Sequence, residues 1–293
     1  MQNSNNPNNE QWGPENQFIQ YQRVSANNGS LWLIQGAKLF RSSLGAWLGI
    51  ASFLLVLLLL PGINTIVALL MPVGIGGLML GCHQTSNDRP IKFEHLFGGI
   101  KSDGKELLIL SLIYALASIS IVIASRYILL LGDIDVASAL PDNVDQMTNE
   151  QLLNWMNNKE FSELGPILIN SLLTLLLMIP LFMAYWFAPA LIVLRKMSAV
   201  NSMKLSFIVC RANLKAFLVY GLVAFGFLIL FLLFTSIIGA IIAPLAGIAI
   251  LIGILTIIAI SIASIYTAYI DIFDRNDSMP DNDLDEQNTS MIA

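Results

Sequence analysis

Charge is what this sequence has least of. Aspartate, glutamate, lysine and arginine make up 12% of its 293 residues, about half the ~25% of an average soluble domain. The shortage is concentrated between Leu44 and Ile270, where about six long apolar stretches have almost no ionisable side chain in their interiors. The run from Leu44 to Leu60 has none. A soluble domain would need an implausibly large core to bury so many such runs, so that class is excluded. The hydrocarbon layer of a bilayer, about 30 Å thick, takes helices of roughly 20 apolar residues, and these stretches fit it. A hydrophobic fraction of 56% and a mean hydropathy of +0.70 agree. The expected fold class is all-α, a polytopic integral membrane protein.

The other absences narrow the chemistry. Cys82 and Cys210, the two cysteines, fall near helix ends expected to be cytoplasmic, where a disulfide is not expected. His83 and His95, with Asp88 and Glu94, lie in one polar loop but lack a recognised metal-ligand spacing. A solvated connecting loop is the better account. The acids from Asp133 and Asp135 onward lack the regular oxygen spacing and bend glycine of a calcium loop, and read as a hydrated surface. Deep in the spans the polar groups are neutral: Ser118, Ser120, Asn170, Thr174, Tyr185, Ser261 and Ser264. The buried carboxylates, His or Lys of coupled transporters and proton relays are missing. So is a nucleophile with a base and orienting acid, a Walker loop or a paired-carboxylate site. The expectation is a protein that is not an enzyme and has no cofactor or metal.

What is present has a clear order. Residues 1–29 are Asn/Gln-rich without apolar period and read as a disordered cytoplasmic tail. No charged segment leads into a short apolar core, so targeting is expected from an uncleaved first span. The membrane domain is 30–270. Ser30 to Arg41 reads as an interfacial helix with Leu33, Ala37 and Phe40 on one face and Trp32 in the headgroup layer. Six spans are expected: Leu44–Leu60, Ile63–Cys82, Glu106–Leu131, Pro166–Leu194 with a kink at Pro180 and Pro189, and two more between Leu214 and Ile270. Thr235-Ser236 and Ala243-Pro244 are both plausible turns between the last two. The polar excursion 132–164 contains Thr148-Asn149-Glu150-Gln151, a capping-box pattern opening a short helix to about Asn158. Residues 271–293 read as an acidic tail.

Charge asymmetry sets the expected orientation. Of 15 Lys and Arg residues, only Arg126 and Lys159 fall on the side of the 132–164 loop, against seven acids there. The positive-inside rule then places both termini in the cytoplasm.

Arg41-Ser42-Ser43-Leu44-Gly45-Ala46-Trp47-Leu48 aligns with Arg211-Ala212-Asn213-Leu214-Lys215-Ala216-Phe217-Leu218, each where an amphipathic segment enters a span. A weaker middle copy starts near Leu96-Phe97-Gly98-Gly99-Ile100. This reads as three helical hairpins, each preceded by an interfacial segment. Val24-Ser25-Ala26, Gly29, Trp32, Leu39-Phe40-Arg41, Pro72, Gly76-Gly77-Leu78-Met79-Leu80-Gly81 and His95-Leu96-Phe97-Gly98-Gly99 resemble the motifs of uncharacterised proteobacterial multi-pass inner-membrane proteins, over roughly residues 24 to 270. The hairpins are also distantly similar to the membrane domain of some glycerophosphodiester phosphodiesterases, without room here for their catalytic domain. The resemblance implies the fold and the bacterial inner (plasma) membrane, and carries over no activity.

Two residue sets remain as candidates. Arg195, Lys196, Lys204, Arg211 and Lys215 form a basic segment suited to anionic headgroups, although topology determination is the preferred account. Gly74, Gly77 and Gly81, and the stripe Gly239, Ala243, Gly247, have small-residue spacing for close helix packing. The stripe Gly239, Ala243, Gly247 suits a protomer interface and packing within one chain equally. The function expected is structural, scaffold or lipid-interacting, with membrane lipids and a second copy or another membrane protein as partners and no nucleic acid. The alternative is a transporter or channel for a neutral or amphipathic solute, lined by the kinked fourth span around Tyr185-Trp186.

Overall fold

The computed structural model describes residues 20–274, except 61, 86–89, 135, 137–140, 142 and 159–163, with only the backbone of 64, 65, 68, 145 and 243. The tail over 1–19, the loop residues Asp88 and Arg89, and the acidic tail from 275 lie outside them. Among the described residues there is no strand. The helices are α1 (Asn28–Ser42), α2 (Leu44–Leu59), α3 (Asn64–Thr85), α4 (Gly98–Leu131), α5 (Asn149–Asn157), α6 (Gly165–Trp186), α7 (Ala188–Arg195), α8 (Ala199–Ala212), α9 (Leu214–Ile241) and α10 (Ala243–Phe273). Among the described residues four helical stretches are long and apolar enough to cross a membrane, Phe93–Leu131, Gly165–Arg195, Leu214–Ile241 and Pro244–Phe273, and the bent pair α1–α2 makes a fifth if it is one span. Leu214–Ile241 exposes apolar side chains along most of its length, as a helix solvated by lipid must, whereas the second half of α10 and α7 are buried in the protein. The chain is an all-helical, multi-pass membrane protein. It divides into two compact units, one of residues 1–111 with 184–293 and one of residues 112–183.

In the first unit, one corner recurs three times. Short helix α1 breaks at Ser43 (φ −148°, ψ 49°) before α2, and α8 breaks at Asn213 (φ −112°, ψ 22°) before α9. The second turn of α4 breaks at Asp103 (φ −142°, ψ 40°). Ser, Asp and Asn side chains offer the backbone local alternatives to helical bonding, which suits them to such breaks. The α1–α2 bend is 102°. The middle copy thus extends beyond Ile100 to Lys101-Ser102-Asp103, in step with Arg41-Ser42-Ser43 and Arg211-Ala212-Asn213.

α1 corrects the sequence reading of its faces. Asn28, Gly29, Trp32, Gly36 and Phe40 are its buried residues, not the Leu33–Ala37 side. A Cβ on Gly29 would lie 2.0 Å from the Ala216 carbonyl oxygen, and one on Gly36 would lie 2.5 Å from Ser264 Oγ. The glycines therefore bring α1 into backbone contact with α9 and α10. Trp32 is 1% exposed, so it belongs to the protein interior rather than to the headgroup layer.

Gly74, Gly77 and Gly81 face the chain at 91–99. A Cβ on Gly77 would meet the His95 carbonyl oxygen at 2.2 Å, and one on Gly99 would meet the Val73 carbonyl oxygen at 2.2 Å. The stripe of Gly239, Ala243 and Gly247 is divided: Ile242 breaks the helix (φ −143°, ψ 92°), so Gly239 lies near the end of α9, its Cβ position 3.3 Å from Ala246 Cβ of α10, while Gly247 lies on α10. Residues on two helices flanking a turn do not make one helical face. The turn itself falls at Ala243-Pro244, with Pro in the first turn of α10, where its missing N–H costs nothing. The fourth apolar stretch is broken at Phe187, between Pro180 in α6 and Pro189 in α7.

In the second unit, Ser125 Oγ donates to Asn170 Oδ1 at 3.2 Å and accepts from Thr174 Oγ1 at 2.8 Å, joining α4 to α6. α5 opens on the expected capping box. Gln151 N–H donates to Thr148 Oγ1, and Thr148 N–H donates to Gln151 Oε1 at 2.8 Å.

Candidate functional site

The polar chemistry of the first unit gathers at its three corners and the end of α10, and it sorts by sign. The acids turn inward. Asp271 Oδ2 accepts from Asn28 Nδ2 and from Trp32 Nε1, both at 2.8 Å. Asp274 pairs with Arg195, whose Nε also donates to Tyr269 OH at 3.0 Å. Asp103 pairs with Lys196 at 2.7 Å, and Lys196 also donates to Ser102 Oγ. Glu106 Oε2 accepts the Ala199 N–H at 2.8 Å, capping the first turn of α8, where a carboxylate also meets the positive end of the helix dipole.

This divides the basic set. Arg195 and Lys196 are exposed, but each is paired with an acid of the protein, Asp274 and Asp103. Lys196 sits in the left-handed region (φ 56°), where the α7–α8 connection turns sharply. Asp271 and Asp274 likewise belong to the folded end of α10, not to a tail.

The remaining bases turn outward. Lys204, Arg211 and Lys215 are exposed, as are Lys38 and Arg41 on α1 and Lys101 and Lys105 around Asp103. None has an ion-pair partner among the described residues. Arg41, Lys101 and Arg211 each stand two residues before a break residue, and Lys105 and Lys215 two after. Beside them the same segments expose Leu31, Ile34, Phe93, Phe97, Ile100 and Val200.

Residues 20–25 form a strap that sequence inspection placed in a featureless tail. Gln22 N–H donates to the Ile272 carbonyl at 3.0 Å. Val24 N–H donates to Asn213 Oδ1 at 2.8 Å, and Asn213 Nδ2 donates back to Gln22 O. The break residue of the third corner thus holds the chain's own backbone. No local periodicity signals such a contact.

The histidines have protein partners. His95 Nδ1 accepts the Lys92 N–H at 2.8 Å and its Nε2 lies 3.0 Å from Gln84 Oε1, while His83 Nδ1 lies 3.2 Å from Tyr266 OH. No group of three metal-ligating side chains occurs among the described residues. Both cysteines are buried and neither forms a disulfide. Trp186, beside the break at Phe187, packs edge-on against Phe217 and Tyr220, and its indole nitrogen is buried without a hydrogen-bond partner among the described residues.

The chain is similar to a probable inner membrane protein of Burkholderia thailandensis, with 28% identity over 220 residues, covering 71% of this chain and 76% of that protein. No protein-family model matches the chain, and no solved structure matches it significantly.

Proposed function

We propose that the chain is a non-enzymatic protein of the bacterial inner membrane, six spans in three hairpins with both termini cytoplasmic, acting as a structural or lipid-interacting scaffold. The observation that carries this reading is the threefold corner: a short helix, a break at Ser43, Asp103 or Asn213, and a long apolar helix, with exposed bases at the bend. Helices of 16 and 22 residues, α2 and α3, supply a first hairpin in this count. The distant relative described as a probable inner membrane protein supports the location. Bases gathered at the corners, against Arg126 alone at the far end of α4, support the orientation.

The test is native mass spectrometry of the full chain extracted from its own membrane into polymer nanodiscs. A defined protein partner or a second copy, with lipid as the only small component, supports the scaffold. A stoichiometric non-lipid solute overturns it in favour of transport. That second reading has one specific support, the unpartnered Trp186 indole N–H beside the Phe187 break, and Trp186→Phe would then release the solute.

A further inference from the structure

Resting on the scaffold reading, we infer that the three corners are equivalent docking points for the phosphates of an anionic phospholipid leaflet. At the first corner α1 is turned 102° from α2, so it lies close to the membrane plane when α2 stands along the normal, which is the disposition of an interfacial amphipathic segment; Asp103 and Asn213 break the helix at the matching positions of the other two. Each such segment has two exposed kinds of side chain. Leu31 and Ile34 on α1, Phe93, Phe97 and Ile100 before Asp103, and Val200 on α8 are apolar and exposed. Lys38 and Arg41, Lys101 and Lys105, and Lys204, Arg211 and Lys215 are basic and exposed.

Spacing aligns the two kinds. Leu31, Ile34, Lys38 and Arg41 recur every three or four residues on α1, as do Val200 and Lys204 on α8, with Arg211 seven further on. Apolar side chains thus enter the acyl boundary where the bases meet phosphate depth. The charge is net positive because the local acids are used internally: Asp103 by Lys196, Glu106 by the α8 N-terminus, Asp271 by Trp32 and Asn28, and Asp274 by Arg195. Glu94 lies 3.6 Å from Lys92. Glu94 stays exposed but is offset by Lys92, so the surface still carries more bases than acids and is complementary to an anionic leaflet, not to a zwitterionic one.

The experiment reconstitutes the full chain into bilayers of equal phosphatidylglycerol and phosphatidylcholine and counts retained lipids by native mass spectrometry. Each base near such a surface contributes about a fivefold preference. The wild type should therefore retain phosphatidylglycerol at least about fivefold over its bulk ratio, and 1 M NaCl should abolish the excess because screening then reaches ~3 Å. R41Q/K101Q/R211Q should bring the ratio to within about twofold of bulk, while R41K/K101R/R211K and R126Q keep it. Wild type retaining the two lipids in bulk ratio overturns the inference, and so does a triple Gln variant with the wild-type ratio. The wild-type ratio and its salt response decide the matter even if the Gln variant is not recovered. A non-lipid solute overturns the scaffold alone and leaves the lipid ratio to be read independently.

Discussion

The indole N–H of Trp32 donates to Asp271 Oδ2 at 2.8 Å, and the same oxygen takes the Asn28 side-chain amide at the same distance. One carboxylate therefore fixes the start of α1 to the end of α10, while the Trp32 ring packs edge-on against Phe217 with centroids 5.2 Å apart. Asp271→Leu leaves two donors without their acceptor and should cost about 3 kcal/mol, whereas Asp271→Asn keeps an acceptor and should cost about 1 kcal/mol. Thermal unfolding in detergent, followed by tryptophan emission, orders the variants. Equal midpoints for Leu and Asn would mean that the carboxylate does not hold the two ends together.

Gly77 and Gly99 make a second test, in which backbone meets backbone. Alanine at either position would bring Cβ within 2.2 Å of a carbonyl oxygen, and neither carbonyl can swing away as a flexible side chain would. Each substitution should cost at least about 2 kcal/mol through overpacking. Gly45 has nothing within 4 Å of its Cβ position, so Gly45→Ala should stabilise α2 by about 0.5–1 kcal/mol through helix propensity. The two signs are checked by unfolding in sodium dodecyl sulfate titrations. A neutral Gly77→Ala would show that α3 and the 91–99 segment are not in contact.

These two tests mark where the sequence is legible. Features with local causes are readable: apolar runs mark the membrane class and Thr148 and Gln151 the capping box, whereas two turn signals, Thr235-Ser236 and Ala243-Pro244, compete for the α9–α10 turn until the break at Ile242 decides it. Trp32 shows the limit. Its local surroundings look amphipathic and suit a headgroup residue, but its partner is 239 residues away and no period encodes it. Asp271 was equally hidden, because an acid after a span resembles the start of a tail until the strap at Gln22 and the face of α1 are seen against it. Gly239, Ala243 and Gly247 look like one stripe for the opposite reason. Their spacing is helical, but a break at Ile242 removes the helix that would give the spacing meaning. Arg195 and Lys196 share the basic character of Lys204 and Arg211, and only the fold distinguishes paired bases from free ones.

Asn170 distinguishes packing from passage. Its Oδ1 accepts from Ser125, which Thr174 also contacts, so its polarity is used between α4 and α6. Interhelical hydrogen bonds in bilayers average about 0.6 kcal/mol, and a double-mutant cycle of Ser125→Ala with Asn170→Leu should give a coupling of about that size. The cycle is read by refolding equilibria in mixed micelles. Zero coupling, with stability unchanged in Asn170→Leu, would release the amide for a solute pathway.

Cys210 reports on whether α8 keeps its inner face. Burial pushes its thiol from an ordinary 9.0 up to about 12, against a smaller opposing effect of the Ser206 hydrogen bond. Because the thiolate is the nucleophile, a native protein in a Cys82→Ser background should react with a maleimide at pH 8 at less than about a tenth of its rate in sodium dodecyl sulfate. The linkage has a definite sign. The folded state holds a proton that the unfolded chain releases, so the thiol's contribution to stability is complete below about pH 9 and is lost as pH rises towards 12. Unfolding midpoints measured from pH 8 to 10.5 should therefore fall more steeply for Cys210 than for Cys210→Ala. A labelling rate equal to that of the denatured chain would mean that α8 turns Cys210 outward. The stripe of Val200, Lys204 and Arg211 would then face the protein rather than the leaflet.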